Sequence, residues 1–251
     1  MTSRLRAATS LWPSRGSARP RVAVRPADGT TRAVALVLYG GQVASRTRSR
    51  RWHLSVVRMV PFARALHRTA ATDGVEVWTL RYRFRGWNGA DRSPVVDARW
   101  ALAEVRRRHG DVPVALVGHS MGGRVALAVA DDPSVRAVVA LAPWLPDNEP
   151  AQAVAGCRVL VLHGTRDRRT DPRGSMDFAA RARPLATEMV RIEIADTGHA
   201  MLRRTGVWTA LTTYFTRSRL VAAVTGAPVD PTWPAPVPNP VDPVASLRLR
   251  V

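Results

Sequence analysis

A short stretch near the middle of the chain places one serine between glycines. Residues 114–129 read VALVGHSMGGRVALAV, which is an apolar run typical of a buried strand, a turn, and an apolar pattern with helical spacing. A strand that reverses so sharply into a helix needs Gly118 and Gly122, because a side chain at either position would collide with the neighbouring backbone. The turn exposes the hydroxyl of Ser120 beside the backbone N–H of Met121, at the start of the helix. The pattern therefore predicts that Ser120 is a nucleophile rather than an idle serine in a glycine-rich turn.

Two later stretches of the chain supply the partners that a reactive serine needs. A serine hydroxyl is a poor nucleophile at neutral pH unless a base, normally a histidine held by a carboxylate, accepts its proton. Asp167 follows the predicted strand 158–163, and His199 follows the predicted strand 189–194. Because the carboxyl ends of parallel strands meet at one edge of a sheet, we expect both side chains to lie near Ser120.

The order of apolar runs predicts the architecture that positions these residues. Near-continuous apolar runs indicate strands that are buried on both faces, and their alternation with helical patterns predicts an α/β fold with an open, mostly parallel, doubly wound sheet. The predicted strands are 21–25, 33–39, 75–82, 114–117, 135–141, 158–163 and 189–194. The predicted helices are 56–71, 93–109, 125–130, 176–183 and 201–215.

Length and composition indicate one domain with two tails. With 251 residues and 46% hydrophobic content, the chain can build a single core. We predict a disordered basic tail over residues 1–20, a folded domain over 21–220 and a proline-rich tail over 221–251, which from Ala227 onward lacks the pattern for a packed element. The only cysteine, Cys157, can form no internal disulfide, and we interpret it as a packed side chain.

The start of the chain and its apolar runs bear on where the protein works. No run reaches the roughly 18 apolar residues of a membrane span, and the N-terminal stretch lacks the apolar core of a secretory signal. We therefore expect a cytoplasmic protein with no membrane span.

The net charge of +19 raises the question of an anionic partner. All 38 basic residues are arginines, they are spread along the chain, and no nucleic-acid-binding motif is present, so we expect no specific nucleic-acid partner. Several arginines follow predicted strand ends or flank His199, and they either steer anionic substrates or reflect composition alone. These are Arg83, Arg85, Arg166, Arg168, Arg169, Arg203 and Arg204.

Three motifs together give the chain a resemblance to the α/β-hydrolase family over roughly residues 21–220. They are GHSMGG at 118–123, LHGTRDRRTDP at 162–172 and DTGHAML at 196–202. They bring a serine, an aspartate and a histidine in the chain order that the family uses.

The resemblance implies a role for each of these residues. Ser120 would be the nucleophile, His199 the base and Asp167 the carboxylate that orients the base. Asp171 is an alternative carboxylate, although it precedes a proline and suits a cap or turn. Asp196 is too close to His199 in sequence to be the usual partner.

The resemblance also implies a second backbone donor that would complete an oxyanion hole with the N–H of Met121. This donor should follow the strand 33–39, where the family often has His-Gly and this chain has Tyr39 and a glycine pair. We assign it to the N–H of Gly41, with Gln42 as the alternative.

Family members often carry a lid after the strand that corresponds to 135–141. Here only a short stretch leads to the strand at 158–163, so we expect no cap domain. The site should then be shallow and rimmed by Trp144, Trp87 and Phe84, which would bind the substrate.

The sequence thus favours a lidless serine hydrolase that cleaves a small-molecule ester or related acyl bond, with no metal and no organic cofactor. An acyltransferase or a cofactor-free perhydrolase would use the same site with a different acceptor. A non-catalytic binding protein with a hydrolase fold is the remaining alternative. The oligomeric state and the natural substrate stay open.

Overall fold

The fold is built on one central sheet, seen in a computed structural model that describes residues 18–229 and 249–250. The strands are β1 Arg21–Arg25, β2 Ala33–Leu38, β3 Val75–Arg81, β4 Val114–His119, β5 Val135–Leu141, β6 Arg158–Gly164, β7 Glu188–Ile194 and β8 Leu249–Arg250. They lie in the order β1-β3-β2-β4-β5-β6-β7-β8. Only β1, at one edge, runs antiparallel to its neighbour. The predicted open, mostly parallel sheet is confirmed.

Helices cover the sheet on both faces. They are α1 Leu54–Val57, α2 Val60–Ala70, α3 Ser93–His109, α4 Met121–Ala128, α5 Pro172–Ala182 and α6 Thr205–Thr225. The connection through α2 runs from β2 outward to β3, and the connection through α3 runs back from β3 to β4. Because crossovers between parallel strands are almost always right-handed, this reversal of direction places the two helices on opposite faces. Helix α6 packs against α2, and α4 packs against α3.

The central strands are apolar because both of their faces are covered. Every residue of β2 and β4 is buried, whereas most of β1 at the edge is exposed. The continuous apolar patterns therefore identified the interior strands for the expected physical reason. Their carboxyl ends lie along one edge of the sheet, which is where the site is found.

Two helices that flank the site have different bounds from those predicted. Helix α5 begins at Pro172, because the carboxylate of Asp171 caps it by accepting the N–H of Arg173 at 2.8 Å. Helix α6 begins at Thr205, not at residue 201. Leu202, predicted to lie on the apolar face of that helix, precedes it and is 77% exposed.

The C-terminal part of the chain also differs from the prediction. Helix α6 continues through Thr225 and ends at the left-handed Gly226, beyond the predicted domain boundary at 220. Leu249 and Arg250 pair with β7 as β8, within the stretch from Ala227 onward that was expected to hold no packed element. The rest of the two predicted tails, 1–17 and 230–248 with residue 251, lies outside the described residues.

Nothing inserted between β5 and β6 covers the strand ends. Residues 142–157 connect the two strands and hold one short 3-10 turn, Gln152–Val154. The predicted absence of a cap domain is confirmed at this position of the chain. Among the helices of residues 18–229, none has both the length and the apolar character that crossing a bilayer requires.

Candidate active site

Strand β4 passes into helix α4 through a strained turn at Ser120. The backbone angles of Ser120, φ 56° and ψ −120°, lie in a region that residues other than glycine rarely adopt. A Cβ atom on Gly118 would collide with the carbonyl of Gly122, and one on Gly122 would collide with the carbonyl of Leu38. The two glycines are therefore required by the turn, as the sequence indicated.

A continuous chain of hydrogen bonds joins the three residues predicted at the strand ends. The Oγ of Ser120 lies 3.0 Å from Nε2 of His199, and Nδ1 of His199 lies 2.9 Å from Oδ2 of Asp167. An ionised carboxylate can only accept, so Nδ1 carries the imidazole proton. The bare Nε2 is then free to accept the hydroxyl proton of Ser120. This is the arrangement that activates a serine.

The carboxylate of Asp167 is buried and held by several donors. Its Oδ1 accepts the N–H groups of Arg169 at 2.8 Å and Thr170 at 3.0 Å, and its Oδ2 accepts the hydroxyl of Thr170 at 2.7 Å. Nε2 of His163 lies 3.3 Å from the same Oδ2. Burial alone would raise the pKa of Asp167, but hydrogen bonds from His163, His199 and the two amides outweigh it and hold the pKa below its usual range. The carboxylate therefore stays ionised at neutral pH.

Sequence reasoning missed the part that Thr170 plays. Its hydroxyl also lies 3.1 Å from Nδ1 of His199, so it touches both partners of the Asp167–His199 hydrogen bond. The only local signal was its place in the stretch that carries Asp167, three residues further on. By contrast, the side chain of Asp171 caps α5 and is not part of this network.

A second histidine supports the loop that carries His199. Nε2 of His119 lies 3.0 Å from the carbonyl oxygen of His199, and because a carbonyl only accepts, Nε2 of His119 carries the proton. Burial, and then the charge of His199, lower the pKa of His119 to about 3. His119 is therefore neutral at neutral pH and fastens β4 to the histidine loop.

Because burial depresses the pKa of His119, we expect acid to destabilise the fold through this residue. The unfolded state, with an ordinary histidine pKa of about 6.5, binds a proton that the folded state rejects until the pH falls to about 3. The free energy of unfolding should thus fall as the pH drops through this window. Between about pH 7.5 and pH 4.5 we expect His119 to account for about 2–3 kcal/mol of that fall.

Urea denaturation of the wild type and of His119→Gln at both pH values measures this contribution. Glutamine keeps an N–H donor for the carbonyl of His199 but cannot titrate. The variant should lose less stability on acidification than the wild type. An equal loss in both proteins would contradict a titrating, buried His119.

Two candidate backbone donors lie near this turn, because Met121 follows Ser120 in the chain and Gly41 lines the same cavity as Ser120. The N–H of Gln42 is occupied, because it donates to the carbonyl of Arg85 at 2.8 Å. The N–H groups of Met121 and Gly41 have no acceptor within residues 18–229 and 249–250. Gly41 also packs so closely that a Cβ there would collide with the carbonyl of Arg85 and the side chain of Met121. Of the two alternatives from the sequence, Gly41 is the one whose amide is unoccupied.

Tyr39 occupies the position where the resembling family often has histidine. Its hydroxyl accepts the N–H of Tyr82 at 2.7 Å and forms a 2.7 Å hydrogen bond with Ser49. Burial raises the pKa of Tyr39 to about 12. The side chain therefore ties the end of β2 to the end of β3 and leaves the following glycines to approach Ser120.

A cavity of about 470 Å³ opens over Ser120. The residues on its wall come from the turn at Ser120, the loop after β2, the segment around α1, and the loops after β3, β6 and β7. The lining residues are Gly40, Gly41, Gln42, Trp52, His53, Leu54, Ser55, Arg58, Arg85, His119, Ser120, Arg169 and His199.

The predicted substrate-binding aromatics do not line this cavity. Trp87 is 5% exposed and packs edge to face against Trp144, with ring centroids 6.1 Å apart. The guanidinium of Arg124 lies over both rings, 3.8 Å and 4.7 Å from their centroids, and pairs with Glu149 at 2.7 Å. Both tryptophans are thus engaged in a cation–π cluster. Phe84 is likewise absent from the cavity wall, and its ring faces the guanidinium of its neighbour in sequence.

An apolar groove of about 700 Å³ adjoins the cavity. The two share Leu54 and Arg58 as wall residues. The groove runs between α1, α2 and the start of α6, and its apolar wall includes residues with large exposed fractions. These are Leu54 at 77%, Val57 at 47% and Leu202 at 77%.

Known proteins share the fold that carries this site. A family model of the α/β-hydrolase fold matches residues 59–155. A serine hydrolase without a lid from Xanthomonas campestris has a TM-score of 0.60 at 20% identity, covering 83% of this chain and 91% of that chain. A serine hydrolase homologue from Coxiella burnetii has a TM-score of 0.59 at 15% identity, covering 77% and 90% respectively. This chain is an α/β-hydrolase-fold protein.

Further comparisons agree with that fold. The butyrate-bound esterase Est2 from Thermogutta terrifontis has a TM-score of 0.59 at 14% identity, and the match covers 83% of the present chain and 92% of the esterase. No curated protein sequence matches the chain. The resemblance read from the three motifs is confirmed at the level of the fold. Within the part of the chain that the structure describes, no group of three or more His, Cys, Asp or Glu side chains is placed to hold a metal ion.

Proposed function

We propose that this protein is a serine hydrolase that cleaves an ester or related acyl bond through an acyl-enzyme. The observation that carries the proposal is the hydrogen-bonded chain from Ser120 Oγ through His199 to Asp167. Its support is the strained turn that presents the serine and the two unoccupied amides beside it.

In the acylation step, Oγ of Ser120 attacks the carbonyl carbon while Nε2 of His199 accepts the hydroxyl proton. The carboxylate of Asp167 stabilises the resulting imidazolium and holds its ring in place. The amides of Met121 and Gly41 donate to the oxyanion of the tetrahedral intermediate. Collapse of this intermediate breaks the bond to the leaving group, which takes the proton from Nε2.

In the deacylation step, water replaces the leaving group. Nε2 of His199 accepts a proton from the water as its oxygen attacks the acyl carbon, and a second tetrahedral intermediate forms at the same amides. Its collapse releases the carboxylic acid and returns the proton to Oγ of Ser120.

The acyl chain has a natural place in the apolar groove that adjoins the cavity. The shared wall at Leu54 and Arg58 joins the groove to the space over Ser120, and the exposed side chains of Val57 and Leu202 offer apolar contact. These residues replace the three aromatics that the sequence favoured. In a series of esters of increasing acyl length, kcat/KM should rise as the chain extends into the groove and level off once the groove is filled, because each buried CH₂ contributes about 0.8 kcal/mol.

Labelling by a fluorophosphonate probe tests the nucleophile directly. We expect covalent modification at Ser120, identified by mass spectrometry of the labelled peptide, together with release of acid from neutral esters in water. Absence of both label and hydrolysis would favour a non-catalytic binding protein. Addition of alcohols or hydrogen peroxide to the ester assay separates hydrolysis from transfer to another acceptor.

Gly41→Ala should lower kcat by about 10²–10³ with a smaller change in KM. A Cβ at this position must displace the carbonyl of Arg85 or the side chain of Met121, which moves the proposed oxyanion amide away from the developing charge. Kinetics on one neutral ester give the split between kcat and KM.

Gly29→Ala is the matched control for this substitution. Gly29 has a φ of +82° with open space around its Cα, so alanine strains the backbone but does not approach the site. Its kcat per folded molecule should equal that of the wild type. If both variants lost kcat to the same degree, the Gly41 amide would have no special part in the reaction.

A further inference from the structure

Three arginine side chains converge on the cavity over Ser120. Arg58 comes from the segment between α1 and α2, Arg85 from the loop after β3, and Arg169 from the loop after β6. The lining of this cavity includes no Asp or Glu. No carboxylate pairs with any of these three guanidinium groups within residues 18–229 and 249–250.

Two other arginines at the strand ends are neutralised locally. Arg83 pairs with Asp97 at 2.5 Å, and Arg166 pairs with Asp196 at 2.7 Å. With 38 basic residues and 19 acidic ones, an unpaired arginine is ordinary on the surface of this protein. Composition does not explain why three of them, brought from three separate segments, share one concave wall.

The three groups share a field that favours an anion. Burial, and then the charge of Arg169, lower the pKa of Arg58. The charge of Arg85 likewise adds to burial in lowering the pKa of His53 on the same wall. Positive groups held together without a counter-charge repel one another, and a bound anion would relieve this repulsion.

We propose that Arg58, Arg85 and Arg169 form an anion subsite that binds a carboxylate or phosphate group carried by the acyl substrate. The planar fork of a guanidinium matches the oxygens of either group, and two or three such forks around one cavity hold it in a fixed position. The inference rests on the proposed hydrolase function, and it adds that the substrate is an anionic ester. Arg58 would then border both the anionic group and the apolar groove.

The test compares charged esters with neutral isosteres in the full-length protein. One pair carries the charge on the alcohol side, as para-carboxyphenyl hexanoate against para-carbamoylphenyl hexanoate. A second pair carries the charge on the acyl side, as the mono-para-nitrophenyl ester of adipic acid against the para-nitrophenyl ester of adipamic acid, in which a carboxamide replaces the free carboxylate. The hexanoate of para-hydroxyphenylphosphonic acid, also compared with para-carbamoylphenyl hexanoate, provides the phosphate-like arm. Whichever of the carboxylate and the phosphonate shows the larger charge preference is the anion that the subsite favours.

The measured quantity is the charge preference, meaning kcat/KM for the anionic ester divided by kcat/KM for its neutral isostere. In at least one pair we expect the wild type to prefer the anion, and we expect Arg58→Gln and Arg169→Gln each to reduce that preference about tenfold, mainly through KM. Because each variant is compared with the wild type on the same pair, intrinsic differences in ester reactivity cancel.

Arg32→Gln is the matched control. Arg32 is exposed just before β2, at the end of the strands opposite the site, and it lines neither the cavity nor the groove, so its removal changes the net charge equally without touching the subsite. Its charge preference should stay within about twofold of the wild type. Part of the wild-type preference should also persist at about 0.5 M salt, where the screening length is below 10 Å and long-range steering is lost.

Two results would overturn the subsite while leaving the hydrolase proposal intact. One is an unchanged charge preference in both Arg58→Gln and Arg169→Gln, and the other is an equal loss in Arg32→Gln. Failure of the hydrolase proposal looks different, because the wild type would then cleave neither the charged nor the neutral esters.

Discussion

Ser120→Ala should abolish ester hydrolysis, with kcat reduced by at least about 10³. The change removes the atom proposed to attack the carbonyl and leaves the remaining groups unable to form an acyl-enzyme. The backbone of Ser120 keeps its contacts, since its carbonyl accepts the amides of Gly123 and Arg124 and its N–H donates to the carbonyl of Leu141. The fold should therefore persist, with a melting temperature within a few degrees of the wild type.

Ser218→Ala makes the same atomic change at a serine of α6 that lines neither the cavity nor the groove. Its hydroxyl donates to the carbonyl of Tyr214 within α6, so its loss should leave the rate per folded molecule unchanged. Steady-state kinetics and fluorophosphonate labelling of both variants decide the matter. A Ser120→Ala protein that retains more than about a tenth of the wild-type kcat, a barrier change under about 1.4 kcal/mol, would show that another group is the nucleophile.

Asp167→Asn should lower kcat by about 10³–10⁴. An asparagine amide at this place can donate a hydrogen bond to Nδ1 of His199, which would shift the proton to Nε2 and remove the acceptor for the hydroxyl of Ser120. The loss should not be recovered at higher pH, because the imidazole is held in the wrong tautomer rather than protonated.

Asp171→Asn is the control that the chain itself offers. Asp171 caps α5 through the N–H of Arg173, and asparagine caps a helix about as well as aspartate. We expect its kcat to stay within about twofold of the wild type. Should Asp171→Asn be the more damaging of the two, the orienting carboxylate would have to be reassigned to Asp171.

Local rules in the sequence determined the framework of this protein. Buried parallel strands require mostly apolar side chains on both faces, so β2, β4, β5 and β6 could be placed from near-continuous apolar runs, and β7 from an apolar stretch that Arg191 and Glu193 interrupt. The turn at Ser120 requires glycines at two fixed positions for steric reasons, so this turn could also be placed from the sequence. Both constraints leave a signature within a few consecutive residues, although the carbonyl that a side chain at position 122 would strike belongs to Leu38 of β2.

Contacts between distant segments decided the details of the site. The sequence left Asp167 and Asp171 as alternatives, and only the path of the loop after β6 brings Asp167 against His199 and turns Asp171 into a helix cap. It likewise left two amides for the oxyanion, and the carbonyl of Arg85, from a separate loop, occupies that of Gln42.

The residues that form the cavity wall could be predicted least from the sequence. Trp87 and Trp144 were expected at the rim because they follow strand ends, but Arg124 draws both rings into a buried cation–π cluster. Arg58 was not singled out, because it follows no strand end and lies in the break between α1 and α2. Strand ends can be read from apolar patterns, whereas the direction of a long side chain depends on partners that only the tertiary structure brings within reach.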